Sequence, residues 1–216
     1  MDVMYVNNCM EVILSAKHIK HPIHRTILVM ETAIDHPGFA RLKYKALGLS
    51  VSQSRPGTHT GERLYFSANL FLDDYTTMTY SSPILLHGPC VSDQHQTVDV
   101  AFCLRCKYLP QNAIPWVFRR RWQWPPNFVI DSIINYGCLL VPIGPKTIQD
   151  NQLVWRLSFS VAEKILVHSF NFTQLLCYGL LKLMLKCIVN THDVVKDLLF
   201  LLFEDGFILD FGGSRY

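Results

Sequence analysis

The chain has 216 residues, half of them hydrophobic and only 17% charged, which excludes a disordered chain and allows one substantial core or two small ones. A formal net charge of +3 permits an acidic partner without demanding one. No apolar run reaches the ~18 residues of a membrane span, because Lys182 and Lys186 break the longest candidate, so no membrane partner is expected.

In chain order, Val3–Val6 and Thr26–Met30 are short β-rich runs, and Gly48–Gly61 is polar, with the glycines and proline of a loop. Leu64–Leu72 and Val98–Leu104 alternate with period two and predict strands. Pro115–Pro126 is punctuated by prolines and predicts an irregular excursion. Asn127–Asn135 predicts a short helix, and Cys138–Val141 a strand closed by Pro142 and Gly144. After Ser160 the pattern turns helical: Val161–Ser169, Thr173–Val189 and Asp193–Phe203, with polar breaks at Asn171 and Asn190. Strands first and helices later give an α+β order in two lobes.

The junction between the two is the stretch WRLSFSVAEKIL, Trp155 to Leu166. As a strand it places Trp155, Leu157 and Phe159 on one face, and Arg156, Ser158 and Ser160 on the other. Ser160 followed by Glu163 is a capping box, and a helix N-terminus beside an arginine suits an anion. The residues alone leave two readings open: a phosphate-facing corner, or an ordinary strand-to-helix junction with a solvated polar face.

WRLSFSVAEKIL, followed by CYGLLKLMLK at Cys177–Lys186, resembles the family of cyclic GMP–AMP synthase and the Mab-twenty-one-like proteins. Upstream, MDVMYV is similar to that family's acidic metal-binding strand and TVDVAFCL, Thr97–Leu104, to its third-carboxylate strand. WPPNFVI and LLVPIGPK resemble the run before the WRLSFS motif. The resemblance implies a mixed-sheet nucleotidyltransferase lobe, expected at residues 1–154, then a helix-hairpin-helix-like helical lobe at 155–203, both incomplete, and a divergent tail at 204–216. Active members join nucleotides with two magnesium ions held by three carboxylates, which clamp the attacking and leaving oxygens of a phosphoryl displacement. Asp2 matches the second carboxylate and Asp99 the third; the first carboxylate and the Gly-Ser triphosphate loop fall upstream of Met1. Arg156, Ser158, Ser160 and Glu163 match the nucleotide-facing positions. Lys182 is the expected phosphate partner, with Lys186 one turn on, against a solvated helix face for both.

Two further constellations stand beside these. His87 and Cys90, with Cys103 and Cys106, have the spacing of a structural zinc site, against which Cys103 and Cys106 need a turn to converge; buried free thiols are the alternative. Arg119–Trp124, RRRWQW, mixes cations with aromatics as single-strand nucleic-acid binders do, and as a surface loop with solvated arginines does. Seven cysteines, an odd number, and an opening without a secretory signal fit reduced thiols in the cytoplasm or nucleus, where the Asn171 sequon is silent. The expectation is a degenerate or truncated family member, inactive as written, that retains weak binding of an ATP- or GTP-type nucleotide with a vestigial magnesium pair. A protein-interaction module using the helical lobe, and an active cyclic-dinucleotide synthase missing its terminal segments, are the alternatives.

Overall fold

The computed structural model describes residues 2–19, 25–32, 36–45, 58–60, 63–79, 85–87, 89–92, 97–122, 124–145 and 152–187. They sort into two compact units: residues through Tyr108 with Gly137–Phe159, and Leu109–Tyr136 with the residues from Ser160. The described fold is mixed α+β, as the order of elements predicts.

The first unit holds strands β1 (Asp2–Ile13), β2 (Thr26–Thr32), β3 (Phe39–Tyr44), β4 (Thr58–Thr60), β5 (Arg63–Tyr65), β6 (Leu85–His87), β7 (Cys90–Ser92), β8 (Asp99–Cys106), β9 (Cys138–Val141) and β10 (Val154–Ser158), with helix α1 (Ala68–Thr79). The sheet runs β1-β2-β3-β10-β9-β8-β7-β6, and β1 also pairs with β8, so the pairing closes into a circuit of strands. One strand serves two neighbours because Asp2–Asn7 runs parallel to β8 and Met10–Ile13 parallel to β2. The register shifts between these halves. There Asn7 Oδ1 accepts the N–H groups of Cys9 (2.7 Å) and Met10 (3.3 Å), satisfying backbone donors inside the irregularity.

Alternation builds the core. Ala40, Leu42 and Tyr44 of β3 point inward while Arg41 is exposed. Trp155 and Leu157 join Leu140, Leu104 and Phe102 in the same cluster, with Phe159 packed against it, so the apolar face read in WRLSFS is the buried one. Cys138–Val141 forms a strand with all four residues buried.

Two expectations are corrected. Leu64–Leu72 alternates like a strand, yet β5 ends at Tyr65 and α1 starts at Ala68. Ser67 decides it: its buried hydroxyl accepts the Leu70 N–H at 3.3 Å, as an N-cap does, and sits 3.4 Å from the Gln152 carbonyl as donor. Within Pro115–Pro126 a short helix α2 (Ile114–Phe118) forms. Pro115 lies in its first turn, where the missing N–H would have no helical partner.

The second unit holds α2, α3 (Asn127–Tyr136), α4 (Ser160–His168) and α5 (Phe172–Cys187). Val129, Ile130 and Ile133 of α3 are buried, as are Ala162 and Leu166 of α4, and the two helices pack on each other. The polar break at Asn171 is a helix start: Gln174 N–H donates to Asn171 Oδ1 (2.9 Å) and Asn171 N–H to Gln174 Oε1 (3.0 Å). The expected helix at 193–203 and the tail at 204–216 lie outside the described residues, as does most of the Gly48–Gly61 loop.

Candidate functional site

In the sheet unit the polar side of β10 defines a face. Arg156 aligns with Phe39 on β3 and Val141 on β9, and Ser158 with Leu139, which in turn aligns with Arg105 on β8. Arg105, Leu139 and Ser158 therefore share one row, and period-two alternation along β8 puts Asp99 on the face of Arg105. This face is opposite the Trp155–Leu140–Leu104 core. Arg105, Arg156, Ser158 and Asp99 are all half-buried on it. Arg105 was not among the sequence candidates, although counting alternation from Asp99 reaches it.

Asp99 is held in place: its Oδ1 accepts the hydroxyl of Ser92, a fully buried residue aligned with it on β7. On its other side Asp2 of β1 is its register partner in the parallel ladder, so two acid residues occupy neighbouring strand positions about 5 Å apart. The row of Arg156 meets β8 at Cys103, four residues from Asp99. That is about 13 Å along the strand and about 10 Å across two strand spacings, too far for an ion pair.

In the helical unit, α4 begins at Ser160, where the capping box places it, and carries Glu163 in its first turn. Glu163 is half-buried: burial raises its carboxyl above the usual range, and the Lys182 charge on α5 pulls it part of the way back. Lys182 Nζ lies 4.9 Å from the centre of the Tyr178 ring. Tyr178 continues to Phe170 (5.6 Å) and Phe170 to Trp124 (5.1 Å), whose Nε1 donates to Ser169 Oγ at 2.9 Å. Lys182 is thus placed over an aromatic ring as well as near Glu163, although its side chain is exposed. The side chain of Lys186 lies outside the described residues.

A pH signature follows from Glu163. A raised carboxyl contributes stability below its unfolded pKa, about 4.3, and that contribution is lost as pH rises through the folded pKa. Melting temperature should fall over that window, and Glu163→Gln should flatten the profile. Lys182→Ala, by removing the charge that favours carboxylate, should move the fall to higher pH. A Glu163→Gln profile identical to wild type would contradict the assignment.

Of the zinc-spaced residues, His87 lies on β6, Cys90 on β7, and Cys103 and Cys106 on β8. Backbone register unites His87 with Cys90 across the β6–β7 hairpin. Cys103 donates to the Tyr5 carbonyl at 3.4 Å, and burial pushes its thiol up to about 11. Cys106, three residues on, faces the other side of β8 and bonds to Cys138. Among the described residues no three His, Cys, Asp or Glu gather where they would hold a metal ion.

The RRRWQW stretch divides. Arg121 donates to the carbonyls of Trp116, Val117 (3.0 Å) and Arg119 (2.9 Å) and stacks 4.6 Å from the Trp116 ring, so it closes the end of α2. Trp124 is bound to Ser169, as above. Arg120 and the fully exposed Trp122 remain for an outside ligand. Among the described residues no helix is long and apolar enough to cross a membrane.

Residues 71–169, from α1 through α4, match the family model of the Mab-21 protein nucleotidyltransferase domain. The match takes in Asp99, Arg105, Arg156, Ser158, Ser160 and Glu163, and it bears out the resemblance read from WRLSFSVAEKIL. Over this stretch the chain is similar to the Mab-21 protein nucleotidyltransferase domain.

Proposed function

We propose that the chain binds the phosphates of an ATP- or GTP-type nucleotide on the polar sheet face, with Arg156 and Ser158 as the principal contacts and Arg105 beside them. The observation that carries this reading is the convergence of two arginines and a serine on one face with Asp99, inside the matched domain. Arginine suits phosphate because its fixed fork donates two charge-assisted hydrogen bonds. The separation of Arg156 from Asp99 matches two ends of an extended polyphosphate better than a single compact anion. Ser160, Glu163 and Lys182 carry the same assignment within the helical unit, from the family resemblance and the influence of the Lys182 charge on the Glu163 carboxyl.

Magnesium is tested by the donor set. Neighbouring positions for Asp2 and Asp99, with a buried hydroxyl orienting Asp99, fit a hard cation that takes oxygen ligands. Bound there, the ion would neutralise phosphate charge. The protein's own part is to fix the Asp99 carboxylate and to present Arg156 to the phosphates.

Calorimetric titration with ATP and magnesium tests the reading. Charge-assisted contacts contribute about 1.5–3 kcal/mol, so Arg156→Ala should weaken binding on the order of tenfold or more. Asp99→Asn should remove the magnesium dependence and leave the metal-free affinity unchanged. The same samples, incubated with ATP and GTP, report on turnover: a dinucleotide product abolished by Asp99→Asn would replace a binding role with a synthase role. A protein-docking role for the helical unit is the second reading. It rests on α5, where Phe172, Leu176, Leu180 and Leu183 stand exposed on one side. That role predicts that Leu176→Asp changes association while leaving ATP affinity intact.

A further inference from the structure

Cys106 ends β8 and Cys138 begins β9, and the two are register partners in the antiparallel ladder. Residues 107–137, which carry α2 and α3, leave the sheet after the first cysteine and return at the second. Both residues are at most 1% exposed and both are free thiols. Antiparallel partners have Cα atoms about 4.5–5.5 Å apart, inside the range that a disulfide spans without backbone movement. Cys138 Sγ lies 3.7 Å from the Tyr108 carbonyl, and the two thiols are close enough to shift each other's acidity.

We propose that Cys106 and Cys138 form a redox-responsive staple, a dithiol that a hydroperoxide converts to a disulfide closing the base of the 107–137 excursion. The hydrogen bond from Cys138 lowers the Cys106 thiol, opposed by burial and aided by the Tyr108 backbone, while the same bond pushes Cys138 well up. Cys106 is therefore the attacking sulfur. Its thiolate takes one peroxide oxygen, the O–O bond breaks, and the leaving hydroxide picks up a proton to become water. Cys138 sulfur then attacks the sulfenic sulfur; the S–S bond forms, the S–O bond breaks, and a second water leaves with the Cys138 proton. Two thiols lose two electrons and two protons, and one peroxide is reduced to two waters. A thiol reductant reverses the step.

The contrast with Cys103 is built into the same strand. It too is buried, but its partner is a backbone carbonyl and no second thiol is aligned with it. Exposed Cys9 and Cys177 serve as references for ordinary reactivity.

The full chain, reduced and then treated with hydrogen peroxide, is alkylated and mapped by peptide mass spectrometry. The expected result is a Cys106–Cys138 cross-linked peptide, lighter by two hydrogens than the sum of its halves and lost on reduction. The melting temperature should rise by about 5–10 °C, because the link constrains the unfolded chain over a sizeable loop. Cys138→Ser should abolish both effects, and Cys177→Ser neither. Should Cys138→Ser fail to fold, the wild-type map decides alone. Cys106 found as sulfinic acid without the cross-link overturns the proposal, and so does an unmodified pair where Cys9 and Cys177 are fully oxidised.

Discussion

Trp155→Ala should lower the melting temperature on the order of 10 °C, the largest loss expected of any change on β10. Large aromatic-to-alanine truncations in a packed core cost about 3–5 kcal/mol, and each kcal/mol moves a chain of this size by roughly 2–4 °C. Trp155 is completely buried, stacks on Phe66 at 5.4 Å and meets Phe71 edge-on at 5.2 Å. Its Nε1 donates to the Phe66 carbonyl at 3.1 Å, so truncation also strands a buried acceptor, worth about 1–3 kcal/mol. The next residue provides the control. Arg156→Ala on the opposite face of the same strand should change the melting temperature little. Thermal melts of both variants check this; equal losses would mean that the two faces of β10 have been read wrongly.

Gly137→Ala should be the most damaging single-methyl change. Gly137 has φ +82°, and a Cβ there would lie 2.1 Å from the Cys106 carbonyl oxygen and 2.7 Å from the Lys107 carbonyl carbon. Both neighbours are backbone, at the point where the chain leaves β8, and neither has a flexible end to withdraw. The left-handed conformation alone costs an alanine about 1–2 kcal/mol. Gly38, with φ +87° and nothing within 4 Å of its would-be Cβ, isolates that conformational part. Urea denaturation of the two variants should show Gly38→Ala losing only the conformational cost and Gly137→Ala losing clearly more. Equal losses would remove the close backbone crossing from the account.

The elements legible in the sequence are those whose period and ends agree. Asn127–Tyr136, Cys138–Val141 and the helix from Ser160 have clear apolar patterns closed by Pro, Gly or a capping residue, and they stand within a residue or two of where those signals put them. FARLKY carries an alternating signal as clear as any, yet no strand was predicted there. Leu64–Leu72 misled because a strand that gives way to a helix shows a few residues of apparent alternation, and the Ser67 cap outweighs that pattern. The polar face of β10 was legible from Arg156 and Ser158. Alternation from Asp99 reaches Arg105, but its place in the row of Ser158 depends on the register of β8 against β9 and of β9 against β10, which no local spacing encodes. The alignment of Cys106 with Cys138 across the ladder depends on register in the same way, while strand alternation turns Cys106 away from Cys103.

The central claim, a phosphate-binding polar face centred on β10, is tested most directly by calorimetric titration of ATP with magnesium into wild type and Arg156→Ala. The account predicts measurable binding to the folded wild type and a loss on the order of tenfold or more in the variant, whose thermal melt stays near that of wild type. Equal affinity in the two folded proteins, or no binding to folded wild type, would contradict it and leave Arg156 and Ser158 as the solvated side of an ordinary strand.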